Sequence, residues 1–214
     1  MLDIKDQISA VSRKLASGDT PGGEGRVLTM SQAYDTDIDD LWEVVTSPER
    51  ISRWFLPVTG ELREGGHYQL EGNAGGTVTA CDKPRSYAAT WEFGGMVSWI
   101  EVHLTPEGDG RTRFELRHLA PVDEAMAEQF GPGAVGLGWE GGFWGLANYL
   151  ADRESSVTPE EGLAWMMSAD GKEFLRLSSE AWIAADVADG TDPAKARRLG
   201  DAVYAAYTTM PDQA

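Results

Sequence analysis

Cysteine is almost missing from this chain: Cys81 stands alone among 214 residues. One thiol makes neither an internal disulfide nor a multi-thiolate metal site, so disulfide scaffolds and zinc fingers are excluded. Basic residues are scarce, 18 against 35 acidic ones, for a formal charge of −17. A surface this negative repels phosphate backbones and anionic lipid, which sets aside nucleic-acid and membrane-surface binding. Long apolar runs are lacking; none approaches the ~20 residues of a spanning helix. Asp3, Lys5, Asp6, Arg13 and Lys14 interrupt the start, where a signal peptide needs unbroken apolar sequence. These features predict a soluble, cytoplasmic, acidic protein with no membrane insertion.

Familiar catalytic signatures are missing too. There is no G-x-S-x-G elbow, no P-loop and no H-E-x-x-H. Gly131 to Gly136 fits G-x-G-x-x-G, but no strand leads into it. Asp35, Asp37, Asp39 and Asp40 suggest a calcium loop, yet Asp40 and Thr46 stand where that loop needs Gly and Glu, so they read better as helix-start acids. His67 and His103 fall on separate predicted strands without ligand spacing. Neither a metal nor a cofactor is expected.

What is present is 42% apolar sequence, enough for one domain with an appendage. Ile4, Ile8, Val11 and Leu15 predict a helix from Asp3 to Ala16, ended by the Gly- and Pro-rich stretch 18–25. Arg26 to Tyr34 reads as a strand. Asp37 then caps a helix carrying Ile38, Leu41, Trp42 and Val45, and Pro48 opens another turn through Ile51. From Pro57 to Leu119 short apolar-alternating runs are broken by Gly-rich turns, the pattern of an antiparallel meander of about six strands. Tyr87, Ala89, Trp91 and Phe93 share one strand face, as do Ile100, Val102 and Leu104, and Phe114, Leu116 and His118. Glu92, Glu101 and Glu115 point to the opposite, solvated face, near Arg113 and Arg117 for cross-strand pairing.

After a helical piece around Val122 to Gln129, Gly133 to Leu150 forms a long helix with an apolar stripe at Val135, Trp139, Phe143, Leu146 and Leu150. Gly138, Gly142 and Gly145 lie beside the stripe, although each costs ~1 kcal/mol against Ala in a helix interior. Either a neighbouring backbone packs close there or space is left for a bound molecule. Further on, Phe174, Leu177, Ala181, Trp182 and Ala185 mark one helix, and Asp192-Pro193 starts a second through Ala196, Leu199, Val203 and Tyr207. Together they predict a docked helical hairpin. This order of elements buries both greasy surfaces only if a curved sheet wraps the long helix, which predicts an α+β fold with a concavity beside that helix.

The runs SPERISRWFLPVTGELREGG (Ser47 to Gly66), ACDKPRSYAATWEF (Ala80 to Phe93), TRFELRH (Thr112 to His118) and GPGAVGLGWEGGFWGLANYL (Gly131 to Leu150) resemble the SRPBCC, or START-like, superfamily. Within it they look like the branch named after the C-terminal domain of activators of the heat-shock protein 90 ATPase. The resemblance spans Arg26 to Asp152 and implies the helix-grip fold, in which a curved antiparallel sheet grips a long C-terminal helix. On that basis residues 1–25 are expected as an N-terminal helix and linker, 26–152 as the helix-grip domain, and 153–214 as a docked helical extension. The superfamily includes lipid binders, polyketide cyclases or dehydratases, and sensors, and fold alone does not choose among them.

Trp54, Phe55, Tyr87, Trp91, Trp139, Phe143 and Leu146 are candidates to contact an enclosed apolar molecule, since aromatic rings offer broad contact area; filling the core is their other use. His118, ending an apolar strand face, is a candidate proton donor or acceptor, or a plain strand-end histidine. Glu49, Arg50 and Arg53, near Trp54, either gate a pocket entrance or solvate a helix end. The expected function is binding of a small hydrophobic molecule between sheet and long helix. Alternatives are a cyclase- or dehydratase-like enzyme and a co-chaperone-like domain, with a homodimer or chaperone as partner.

Overall fold

The computed structural model describes residues 2–209. Residues 210–214, the end of the expected extension, lie outside the described residues, as does residue 1. The elements run α1 (Ile4–Ala10), β1 (Ser12–Thr20), β2 (Gly23–Tyr34), α2 (Ile38–Thr46), α3 (Pro48–Trp54), β3 (Val58–Gly60), β4 (His67–Leu70), β5 (Gly75–Asp82), β6 (Ser86–Phe93), β7 (Met96–Gly108), β8 (Arg111–Pro121), α4 (Glu124–Gln129), α5 (Gly133–Ala151), α6 (Pro159–Met167), α7 (Ala169–Ala188) and α8 (Pro193–Thr208). The strands form one open, curved sheet ordered β1-β2-β8-β7-β6-β5-β4-β3, with every neighbouring pair antiparallel. This is the α+β helix-grip arrangement.

Local chemistry explains the elements. Asp37 accepts from the Asp40 N–H to cap α2, and Ser47 accepts from the Arg50 N–H to cap α3 with Pro48 in its first turn. Gly94 and Gly95, both with positive φ, make the two-residue turn between β6 and β7 that a right-twisted hairpin requires. On the core face Ala89, Ile100, Val102, Leu104, Phe114 and Leu116 are buried, and Phe143 and Leu146 of α5 press on the same cluster.

The structure corrects four expectations. The first helix stops at Ala10. Residues 12–20, expected as helix end and linker, form β1, paired along its whole length with β2 through a tight turn at Pro21 and Gly22. The 4-3-4 spacing misleads because Ile4 and Ile8 pack under the C-terminal helices while Val11 and Leu15 enter the main core, so they are not one face of one rod. Phe93, expected on the inner face, is 53% exposed at the hairpin tip, beyond the edge of the core. The long helix is not one-sided: Val135 is exposed, while Leu137, Trp144 and Tyr149 are buried alongside Phe143 and Leu146. One side of α5 faces the sheet and another faces α7 and α8, where Leu137 and Trp144 join Phe174, Leu175 and Val203. Finally, the C-terminal segment holds three helices, not two. Thr158 and Glu161 form a complete capping box that starts α6.

Glu140 illustrates what the second buried side of α5 requires. Its carboxylate is sealed from solvent, yet it accepts from Arg13 Nε at 2.5 Å, Arg13 Nη2 at 2.9 Å and Trp182 Nε1 at 2.9 Å. Arg13 also donates to the Ile8 and Val11 carbonyls. Burial pushes the Glu140 carboxyl upward, opposed by the Arg13 charge and the Trp182 N–H. A buried charge is tolerable only when paired and hydrogen-bonded in this way, so β1, α5 and α7 are tied at one point.

Candidate functional site: an aromatic cavity beneath the long helix

α2 and α3 lie across the concave face of the sheet, and α5 closes one end. Between them is a cavity of about 600 Å³, within the ~300–1,000 Å³ range of small-molecule sites. Its core-side wall is apolar: Leu70, Val78, Ala89, Ile100, Val102, Phe114 and Leu116 from the strands, Val45 and Ile51 from the helices. Much of the remainder is aromatic, with a polar rim.

Four rings make a continuous run along one side. Trp54 stacks on Phe55 (centroids 5.6 Å, 28° between planes), Phe55 on Trp139 (5.9 Å, 17°), and Trp139 meets Trp91 at 4.8 Å. Trp42 and Tyr87 meet edge to face at 6.2 Å elsewhere in the lining. Trp54 is fixed by its indole N–H, which donates to the Val44 carbonyl at 3.1 Å. The exposed rim carries Glu43, Arg63, Glu64 and Lys83, with Lys83 Nζ 2.8 Å from Glu43 Oε1 across the opening between α2 and the β5–β6 turn. Cys81 also borders it and is free.

Of the residues singled out in the sequence, Trp54, Phe55, Tyr87, Trp91 and Trp139 line this cavity together. Phe143 and Leu146 do not; they are sealed in the core, Phe143 against the Phe114 ring at 5.3 Å. Their stripe position is right, but the sheet closes on α5 there, leaving space only at the Trp139 end. Sequence reasoning missed Trp42 and Tyr68 as cavity residues. Trp42 carried a signal, standing with Ile38, Leu41 and Val45 on an apolar helix; Tyr68 lies on a four-residue strand too short to show an alternating face.

His118 is not free for proton transfer. Trp139 Nε1 donates to its Nδ1 at 3.0 Å, which makes Nε2 the protonated nitrogen, and Nε2–H donates to Ser98 Oγ at 2.9 Å. Ser98 in turn donates to the Trp91 carbonyl at 3.1 Å. Burial lowers the His118 pKa to about 4, so the ring is neutral. The imidazole holds Trp139 in place, with both nitrogens engaged.

The arginines proposed as gates lie elsewhere. Arg50 pairs with Asp40 at 2.9 Å and donates to the Tyr149 hydroxyl, while Arg53 donates to the carbonyls of Arg153, Glu154 and Ser155. They brace α3 against the end of α5, away from the cavity lining. On the outer sheet face Glu101 pairs with Arg117 at 2.5 Å. Among the described residues there is no group of three His, Cys, Asp or Glu placed to hold a metal ion, and no helix long and apolar enough to cross a membrane.

A curved antiparallel sheet gripping a helix around an apolar, aromatic-walled cavity defines the helix-grip class. Within it, the chain belongs to the activator of Hsp90 ATPase homolog 1-like family, whose model matches residues 35–151, more than half of its length. Among solved structures, the crystal structure of CalU16 from Micromonospora echinospora is 32% identical, covering 85% of this chain and 99% of that one with a TM-score of 0.66. The solution structure of CalU16 gives 32% identity and a TM-score of 0.68 over 85% of this chain and 97% of that one. EF2215 from Enterococcus faecalis, described as a conserved protein of unknown function, shares the fold at 12% identity, with a TM-score of 0.60 over 88% of this chain and 96% of its own. No curated protein matches the chain significantly.

Proposed function

We propose that the chain binds a small hydrophobic molecule in the cavity between the sheet and α2, α3 and α5. The single observation that carries this reading is the 600 Å³ space walled by eight aromatic lining residues, among them Trp42, Trp54, Phe55, Tyr87, Trp91 and Trp139. A fold that only needed a core would have closed on these rings, because an interior packs to near crystal density and a large void forfeits dispersion contacts. Family membership supports the reading through the fold, while the role of the family's namesakes at a chaperone remains theirs. A catalytic version resting on His118 is disfavoured, since both of its nitrogens are occupied.

The test uses the neutral fluorophore N-phenyl-1-naphthylamine. Its emission should rise on binding, and Trp139→Ala should weaken binding roughly tenfold or more, since deleting a large aromatic wall loses on the order of 2 kcal/mol of contact. Absence of any emission change with the wild-type chain, joined by native mass spectra free of bound small molecules, would overturn the proposal.

A further inference from the structure

The cavity wall is not uniform, and its polar atoms are confined. Among the described buried side-chain atoms, those both sealed and without a hydrogen-bond partner are Arg153 Nη1, Trp165 Nε1 and Ser178 Oγ. The Tyr87 hydroxyl and Trp42 Nε1 make no hydrogen bond to any described residue, yet they are not among those sealed atoms. Both therefore keep open surface. Both residues line the cavity, Trp42 is only 4% exposed, and burial raises the Tyr87 phenol pKa. The two donors sit on neighbouring rings, with centroids 6.2 Å apart and edge to face, and unsatisfied donors in an apolar cavity carry a desolvation cost that only a bound acceptor or water removes.

Their place along the sheet gives the site a direction. Tyr87 and Trp91 share one face of β6, four residues apart, hence about 13 Å at ~3.3 Å per residue. The stacked run ends at Trp91 and Trp139, with the unbonded Trp91 N–H at that far end. The donor pair lies at the end where Cys81 stands opposite Tyr87 in the strand register. The cations at the rim are already paired, Lys83 with Glu43 and Arg63 with Glu61, all on exposed side chains. The two cations of the lining, Arg63 and Lys83, are these exposed, paired rim groups, and no cation lies deeper among the apolar and aromatic walls, so the acceptor that fits there is neutral.

We infer that the cavity takes an elongated, flat, apolar molecule bearing a neutral carbonyl-type oxygen at one end, the oxygen received by Tyr87 Oη–H and Trp42 Nε1–H and the body lying along the Trp91, Trp139 and Phe55 rings. This rests on the binding function proposed above and names the chemical class of its ligand. Tyr87 and Trp42 act as specificity determinants: they favour a ketone over a hydrocarbon of the same shape.

The experiment titrates the full chain with 2-ethylanthracene, 2-acetylanthracene and anthracene-2-carboxylate, following tryptophan quenching. In Tyr87→Phe and in Trp42→Phe the ratio of ketone affinity to hydrocarbon affinity should fall roughly three- to tenfold, the worth of one hydrogen bond, with 2-ethylanthracene as the internal reference for any change in the apolar wall. The carboxylate should bind more weakly than the ketone. In the wild-type complex the carbonyl stretch of 2-acetylanthracene should move to lower wavenumber than in hexane, a readout that needs no variant. An unshifted carbonyl band, an affinity ratio unchanged in both variants, or a preference for the carboxylate would overturn this inference and leave hydrophobic binding standing. Failure of all three probes to bind the wild-type chain would overturn both.

Discussion

His118 carries the clearest pH signature of any single residue here. Its pKa is lowered from 6.5 to about 4 by burial, so the unfolded chain takes up a proton at a pH where the folded chain does not. The neutral ring therefore contributes stability that is fully present above about 6.5 and is lost as the pH falls from there through about 4. Over that window the group should remove ~3 kcal/mol of unfolding free energy. Urea unfolding between pH 7.5 and 4.5 checks this, with His118→Gln as reference: Gln keeps an acceptor for the Trp139 N–H but does not titrate, so its stability should fall less steeply with acid. Parallel curves for the two proteins would show that His118 is not the buried neutral group described. The same acidification should loosen Trp139, because a protonated Nδ1 no longer accepts its N–H.

At the scale of elements, the α5 glycines divide by what faces them. A Cβ on Gly145 would stand 2.0 Å from the Trp54 carbonyl oxygen, a backbone atom of α3 that cannot step aside alone. A Cβ on Gly142 would meet the Phe55 ring at 3.5 Å, ordinary contact. Gly145→Ala should cost about 1–3 kcal/mol by overpacking, and by displacing α3 it should also weaken ligand binding. Gly142→Ala should be neutral or gain up to ~1 kcal/mol from helix propensity. Thermal melts of the two variants side by side decide it; equal destabilisation would mean the helix does not approach α3 as closely as this. Of the two explanations offered by the sequence for these glycines, close packing of a neighbouring backbone accounts for Gly145, while Gly142 stands in ordinary contact with the Phe55 ring.

For the molecule as a whole, the C-terminal helices are part of the core. Trp144 stacks on Trp165 at 5.2 Å and meets Phe174 at 5.3 Å, and Trp182 completes the hydrogen bonds of Glu140. A chain ending at Asp152 would expose Leu137 and Trp144 and leave Glu140 a donor short. Losing one partner of a buried charge costs several kcal/mol, of the order of a small domain's whole stability. That truncation should show no cooperative thermal transition and should bind hydrophobic dyes nonspecifically. A melt within a few degrees of the full chain would show the extension to be dispensable.

Much of this architecture was legible without coordinates of any kind. The meander between Pro57 and Leu119, the caps at Asp37 and Asp192, and the cavity residues Tyr87, Trp91 and Trp139 follow from strand and helix periodicity, turn glycines and capping chemistry, all written in neighbouring residues. What escaped was set by distant partners. β1 is a strand because β2 and the Pro21–Gly22 turn offer it a ladder, although its apolar spacing suits a helix equally well. α5 is buried on two sides because α7 and α8 return to cover it, and His118 is a brace for Trp139 because Ser98 and Trp139 reach it from other elements. The sequence by itself determined which segments are apolar and with what period, since that depends only on near neighbours. Only the tertiary structure decided where those surfaces seal and where they stand apart, because a void is a property of facing walls that lie far apart in the chain.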